Sequence, residues 1–326
     1  MKITTTFLQS LFIIFLLIIS VRGQTAGDFQ TYQTGNWNDV NTWERYNGTS
    51  WVNPAPSTPT SSDGVITIQN SHTVTVSVGV TIDQSTVNSG ATLTINNGVT
   101  LTLYNGTDTD LTINGTTNNN GTLSRNSNSS ALINGSFINS GSFSGSSTKV
   151  TFASGSLYQH IQDGGAVPSA IWDINSSCEI TGVTANLPSK LKLQSFGNFT
   201  WNCPDQTMSG KSLGTDFGTS TYPVQGNFTM QNTGTGKCYF TSSAQDQYIN
   251  GNFIMSGGTL EITHIGGSNR TVYVGGNFSM TGGTLILSES SLIGTLNIPG
   301  DFSHISGTLT ETSTGSGALV FSKSGI

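Results

Sequence analysis

Charge is the scarcest feature of this chain. Only 9% of its 326 residues are Asp, Glu, Lys or Arg, against about a quarter in an ordinary soluble domain. Basic residues are the rarer sign, 11 against 17 acidic. Recognition of nucleic acid needs a basic footprint on the phosphate backbone, so that class of partner is excluded. Cysteine is limited to Cys178, Cys203 and Cys238. An odd number leaves at least one thiol without a partner in the chain, and no pair has the spacing of a metal knuckle. The spacing selects no disulfide, and small buried side chains in neighbouring turns are the preferred reading. HExxH and the Gly-rich nucleotide fingerprints are also missing, which removes the zincin and dinucleotide-binding patterns. After the first twenty-odd residues there is no sustained 3.6-residue apolar stripe with caps, so helix is expected to be nearly absent.

Long apolar runs are missing too, with one exception. Leu11 to Ile19 reads LFIIFLLII, preceded by Lys2 and followed by Val21-Arg22-Gly23. A bilayer-spanning helix needs about 20 apolar residues, whereas this length suits the apolar centre of a cleaved export signal. Residues 1–23 are read as a signal peptide, and the mature chain as secreted or displayed at the cell surface with no membrane span. Cleavage removes Lys2 and Arg22 and no acid, leaving 9 basic against 17 acidic residues, a net charge of −8.

What fills the chain is Gly, Asn, Ser and Thr, arranged as a repeat. Gly197-Asn198-Phe199 returns as Gly226-Asn227-Phe228, Gly251-Asn252-Phe253, Gly276-Asn277-Phe278 and Gly300-Asp301-Phe302, at intervals of 29, 25, 25 and 24 residues. Gly258-Thr259-Leu260, Gly283-Thr284-Leu285 and Gly307-Thr308-Leu309 move in step, at 25 and 24. Stretches such as Thr92-Leu93-Thr94-Ile95 alternate polar and apolar side chains, which places one set on each face of a strand. Thr suits the wet face, since its branched carbon favours extended backbone. Short strands with Gly and Asn corners, repeating near 25 residues, match one coil of a parallel β-helix. Phe199, Phe228, Phe253, Phe278 and Phe302 then form an internal ladder, and Met230, Met255, Met280 and His304, two residues later, share its inward direction. Upstream, Ile113 and Ile133 stand 20 residues apart, as do Gly121 and Gly141, which implies smaller coils on the same axis. Residues 156–196 read as irregular coils. The organisation expected is a signal peptide at 1–23, an aromatic N-terminal capping segment at 24–64, and an all-β parallel β-helix (β-solenoid) at 65–326. Because Ala318 to Ile326 looks like Lys149 to Ser156, which leads into a further coil, the chain is expected to be the N-terminal part of a longer protein.

Residues 35–103 carry a recognisable pattern: Gly35-Asn36-Trp37-Asn38-Asp39-Val40-Asn41-Thr42-Trp43, then Asp63-Gly64-Val65-Ile66-Thr67-Ile68, Ser71-His72-Thr73-Val74-Thr75-Val76 and Gly90-Ala91-Thr92-Leu93-Thr94-Ile95. This resembles the start of large secreted parallel β-helix surface proteins of Bacteroidota type and, more distantly, a G8-like segment. The resemblance implies surface display or release, often through a C-terminal sorting domain, which 1–326 does not contain. Ser71 stands where that family usually has Gly before the His.

Candidate sites are few. Trp37, Trp43 and Trp51, with Tyr46, lie within fifteen residues. They are read either as rings folded over the first coil or as a glycan-stacking patch. Asp108 and Asp110 alternate on a turn and are read as a solvated corner rather than a cation site. His160 with Asp163, and His264 near Arg270, are lone pairs without an orienting third group, and His72 is read as structural. No catalytic residue, cofactor-binding residue or metal ligand is nominated, and no cofactor is expected. The function expected is a non-catalytic secreted or cell-surface scaffold, adhesin-like, whose partners are extracellular polysaccharide or surface components. The alternative is a carbohydrate-active β-helix enzyme, a polysaccharide lyase or glycoside hydrolase, or a glycan-binding module of one. Hydrolysis would require two carboxylates facing one cleft.

Overall fold

The computed structural model describes residues 23–322 apart from Thr215, Thr241, Ser242, Ser290 and Ser313. The expected signal peptide therefore lies outside the described residues, save for Gly23. Alternation decides the architecture. In Thr92–Ile95 the threonines are half-exposed while Leu93 and Ile95 are buried, and the next strand on the same face, Thr116–Asn119, stacks on it in parallel register. Repetition of this pairing winds the chain into a parallel β-solenoid of about 11 turns. The only helical segment among the described residues is a 3-10 turn at Val40–Thr42.

One face runs the length of the molecule. Its strands are Gly35–Asn36, Thr73–Val76, Thr92–Ile95, Thr116–Asn119, Ser136–Asn139, Leu157–His160, Ser177–Ile180, Asn198–Asn202, Phe228–Asn232, Phe253–Glu261, Phe278–Glu289 and Phe302–His304. Register along this face produces an unbroken inward column: Val74, Leu93, Thr117, Phe137, Tyr158, Cys178, Phe199, Phe228, Phe253, Phe278 and Phe302. The five expected Phe rungs thus lie in one ladder, and the upstream coils extend the same column with other side chains. Phe199, Phe228, Phe253 and Phe278 are fully buried, while Phe302 is half-buried. Successive ring centroids lie 5.9, 5.5, 5.2 and 5.2 Å apart, within the range of favourable aromatic pairs. Met230, Met255 and Met280 form the adjacent buried column. His304 pairs in register with Met280 but is exposed.

The repeated Gly-Asn-Phe triplet has a separate physical reason for each residue. Asn198 Oδ1 accepts from the backbone N–H of Asn227, Asn227 from Asn252, Asn252 from Asn277 and Asn277 from Asp301, at 2.8–2.9 Å. This asparagine ladder supplies acceptors to corner amides that strand pairing leaves over. Gly is required because a Cβ at Gly276 or Gly300 would stand 2.4 or 2.3 Å from the Asn252 or Asn277 oxygen of the coil before. In the Gly-Thr-Leu marker, Gly258, Gly283 and Gly307 have φ of +73, +82 and +98°. That left-handed backbone, at the irregular step in the pairing of Phe253–Glu261 with Phe278–Glu289, comes at little cost only for Gly.

Two further faces complete the early coils. Ile66–Ile68, Ser85–Val87, Leu111–Ile113, Ala131–Ile133, Val150–Phe152 and Ile171–Trp172 stack in one sheet, and Val80–Ile82, Thr100–Leu103, Thr122–Arg125 and Ser142–Phe143 in another. Ile113 pairs with Ile133, so the 20-residue spacing is one coil. The later coils use Gln247–Ile249, Arg270–Val274, Ile293–Ile298 and Ser316–Phe321 as a four-stranded parallel sheet. Residues 156–196 continue the rungs through Leu157–His160 and Ser177–Ile180. At the N-terminal end, Phe29–Thr31 pairs in parallel with Ile66–Ile68, so parallel stacking begins inside residues 24–64. Its other edge is covered by antiparallel Trp43–Tyr46, which pairs in turn with Trp51–Val52.

Ser71 has φ +67°. The residue that departs from the resembled pattern therefore occupies the left-handed backbone in which Gly is unstrained. Next to it, His72 Nδ1 lies 2.7 Å from Thr31 Oγ1 and ties this coil to the first strand.

Candidate functional site

The N-terminal aromatics divide by burial. Trp37 and Trp43 are 2% and 0% exposed, with ring centroids 4.8 Å apart and planes at 65°. Their indole N–H groups donate to Pro59 O and Trp37 O at 2.9 and 2.8 Å. Neither ring presents a face to solvent. Trp51 is half-buried, lies 5.3 Å from Tyr46, and helps line a cleft of about 180 Å³ with Gln24, Asp28, Gln30 and Thr67.

The acidic turn is more closely knit than its sequence indicates. Asp110 is buried and accepts from the backbone N–H of Gly106 at 2.7 Å and of Ser130 at 2.5 Å. Asp83, from the same corner, is pushed up to about 6 by burial and by a side-chain hydrogen bond with Asp110. Two carboxyls in contact hold one proton between them more readily than two charges.

His160 is fully buried, and its pKa is lowered by that burial. Its Nε2 lies 2.7 Å from Gly164 O, an acceptor only, so Nε2 carries the proton and Nδ1 accepts from Tyr158 OH at 3.1 Å. Tyr158 OH accepts in turn from Asn139 Nδ2 at 3.1 Å, and Asn139 Oδ1 from Asn119 Nδ2 at 2.7 Å. This neutral chain across three coils pairs most of its polar atoms inside the column, where unpaired ones are costly, and leaves Asn119 Oδ1 without a partner. Asp163, the supposed partner of His160, instead accepts from the N–H groups of Asn186, Thr184 and Ala185. Those donors hold its carboxyl well below the usual range. All three cysteines are free and buried, and burial pushes Cys203 and Cys238 up to about 12.

The richest constellation was missed by the sequence reading. Glu261, His264 and Glu289 bring one donor atom each within 4.8 Å of one another. His264 Nδ1 lies 2.7 Å from Glu261 Oε2 and 3.2 Å from Glu289 Oε2. Lys237 Nζ pairs with Glu261 Oε1, and with Glu289 Oε1 at 3.3 Å. The His264 ring stacks on Tyr239 with centroids 4.1 Å apart and planes at 4°. Glu261 is fully buried, while His264 and Glu289 side chains retain 23% and 13% of their surface. Burial pulls Glu289 upward, but the Ile265 N–H and Lys237 outweigh it and hold it low. Arg270, expected beside His264, is spent on the carbonyls of Gln245, Ile262 and Ser243. The available signal was arithmetic: Glu289 follows His264 by 25 residues, one repeat. No family model matches this chain, and no curated protein or solved structure matches it either.

Proposed function

We propose that the protein is a non-catalytic, secreted or cell-surface scaffold of adhesin-like type, akin to the large Bacteroidota-type β-helix surface proteins that its residues 35–103 resemble. The observation that carries this reading is the outer surface of the early coils. Thr67, Thr86 and Thr112 stand in register on one face, Thr73, Thr92 and Thr116 on the next, and Thr81 and Thr102 on the third. Each is half-exposed. A column about 11 turns long at about 4.8 Å per strand extends roughly 50 Å, dry inside and hydroxylated outside. Such a rod holds attached groups away from a surface and offers many weak hydrogen bonds to polysaccharide or neighbouring surface molecules. The buried Trp37 and Trp43, with the antiparallel strands beside them, serve in this reading to close the N-terminal end and deny its edge to other chains.

A glycan-binding reading draws on a different observation, the half-buried Trp51–Tyr46 pair beside the cleft. The two readings separate in one experiment. The secreted chain is incubated with acidic and neutral polysaccharides, following both release of reducing or unsaturated ends and sedimentation with insoluble glycan. The scaffold reading expects no chain cleavage and binding unaffected by Trp51→Ala. Turnover would overturn it, and binding lost on Trp51→Ala would move the function to the N-terminal aromatics.

A further inference from the structure

We propose that Glu261, His264 and Glu289 form a binding site for a zinc-class divalent cation, bridging two successive coils at a partly buried point of the solenoid wall. The donor set is one imidazole nitrogen and two carboxylate oxygens, a combination that borderline ions accept and calcium does not favour. Zinc bonds of about 2.0–2.2 Å in a tetrahedral shell place neighbouring donors roughly 3.4 Å apart. The Nδ1 to Oε2 separations of 2.7 and 3.2 Å need only a slight opening to meet that.

Lys237 stands outside this triangle rather than in it. Its ammonium engages the Oε1 atoms of both glutamates, leaving both Oε2 atoms turned to His264. Ligating carboxylates are commonly held by such outer hydrogen bonds, which fix their direction and offset their charge. Tyr239 does the same for the imidazole by stacking flat against it. Gly210 also runs close to the ring, since an added Cβ there would approach His264 Cε1 to 3.2 Å. The partial exposure of His264 and Glu289 leaves a way in for the ion and a fourth position for water, the pattern of a three-ligand site.

The test is titration of the metal-free full chain with Co2+, read by visible d–d absorption, and with Zn2+, read by calorimetry and thermal unfolding. One equivalent should bind, with a tetrahedral Co2+ spectrum and a raised melting temperature. His264→Gln and Glu289→Gln, both at partly exposed positions, should each weaken binding at least tenfold and abolish the thermal shift. Lys237→Gln should weaken it about 10–100-fold as an outer-shell change. Circular dichroism of each variant establishes that the coils remain. Unchanged Co2+ spectra in both His264→Gln and Glu289→Gln, or no saturable binding by the wild type, would overturn the site. Equal affinity for Ca2+ and Zn2+ would overturn the class of ion.

Discussion

Phe253 offers the sharpest measurement of how the solenoid is held together. Its side chain is fully buried and touches rings on both neighbouring coils, Phe228 at 5.5 Å and Phe278 at 5.2 Å, both edge to face. Phe240 approaches from another face at 6.3 Å. Truncation to Ala removes the ring from a site that cannot collapse, because the coils above and below are fixed by their own strand pairing. A buried Phe→Ala change costs about 3–5 kcal/mol, and two strong ring pairs place this one in the upper half of that range. Phe253→Leu keeps most of the volume and should cost about 1–1.5 kcal/mol. Ser256→Ala, at an exposed outward position three residues on, should stay within about 0.5 kcal/mol. Urea unfolding followed by circular dichroism gives the three values. Hydrogen exchange resolved along the chain shows where the loss falls, since a repeat array communicates stability between neighbours. Protection should drop first in the coils containing Phe228, Phe253 and Phe278, and least near Leu93. A cost below about 1 kcal/mol for Phe253→Ala, or an even loss of protection over the whole chain, would refute the stacked-column account.

Ser71→Gly should stabilise the protein, because it relieves left-handed strain of about 1–2 kcal/mol at an unfolded-state cost of about 0.4–1 kcal/mol; a lowered urea midpoint would contradict this. Asn252→Ala removes the acceptor for the Asn277 N–H and should cost about 1 kcal/mol, whereas Asn252→Asp, which keeps an acceptor, should cost less in the same assay. Asp83 gives a pH dependence of unusual sign. Its folded pKa of about 6 lies above the ordinary 3.8, so between those values the folded chain keeps a proton that the unfolded chain gives up. The contribution is fully present below about pH 4 and is lost as the pH rises through about 6. Asp83→Asn should therefore flatten that part of the stability–pH curve relative to wild type, and identical slopes in the two proteins would reject the shared proton.

The fold was legible because a stacked coil repeats its constraints. Each Gly-Asn-Phe answers three demands at once, namely close approach, an acceptor for the next corner amide and a ring for the column, so the triplet survives in a composition otherwise dominated by Thr and Ser. The same column was hidden upstream, where Thr117, Tyr158 and Cys178 fill the Phe position. Burial there is achieved with chemically different side chains, and only register reveals that they are equivalent. Similarly, Trp37 and Trp43 cluster in sequence as a glycan patch would, but proximity does not say which way a ring points, and the structure turns both inward.

The charged cluster was hidden for a related reason that carries a general lesson about solenoids. Sequence patterns for metal or acid–base sites look for ligands a few residues apart, since helices and hairpins bring such residues together. In a parallel coil the nearest outward neighbour is one turn away, so a site is written with the period of the coil. Glu261 and His264 are three apart, while Glu289 comes 25 residues after His264 and reaches it across one strand spacing, about 4.8 Å. Lys237 and Tyr239 sit one coil earlier, with Tyr239 in register with Glu261. A chain this poor in charge has gathered Lys237, two glutamates and a histidine at one partly buried point, across three coils, when scattered exposed positions would serve solubility better. Each coil contributes part of the cluster, so the cluster exists only when the three are stacked, and its integrity reports on their register.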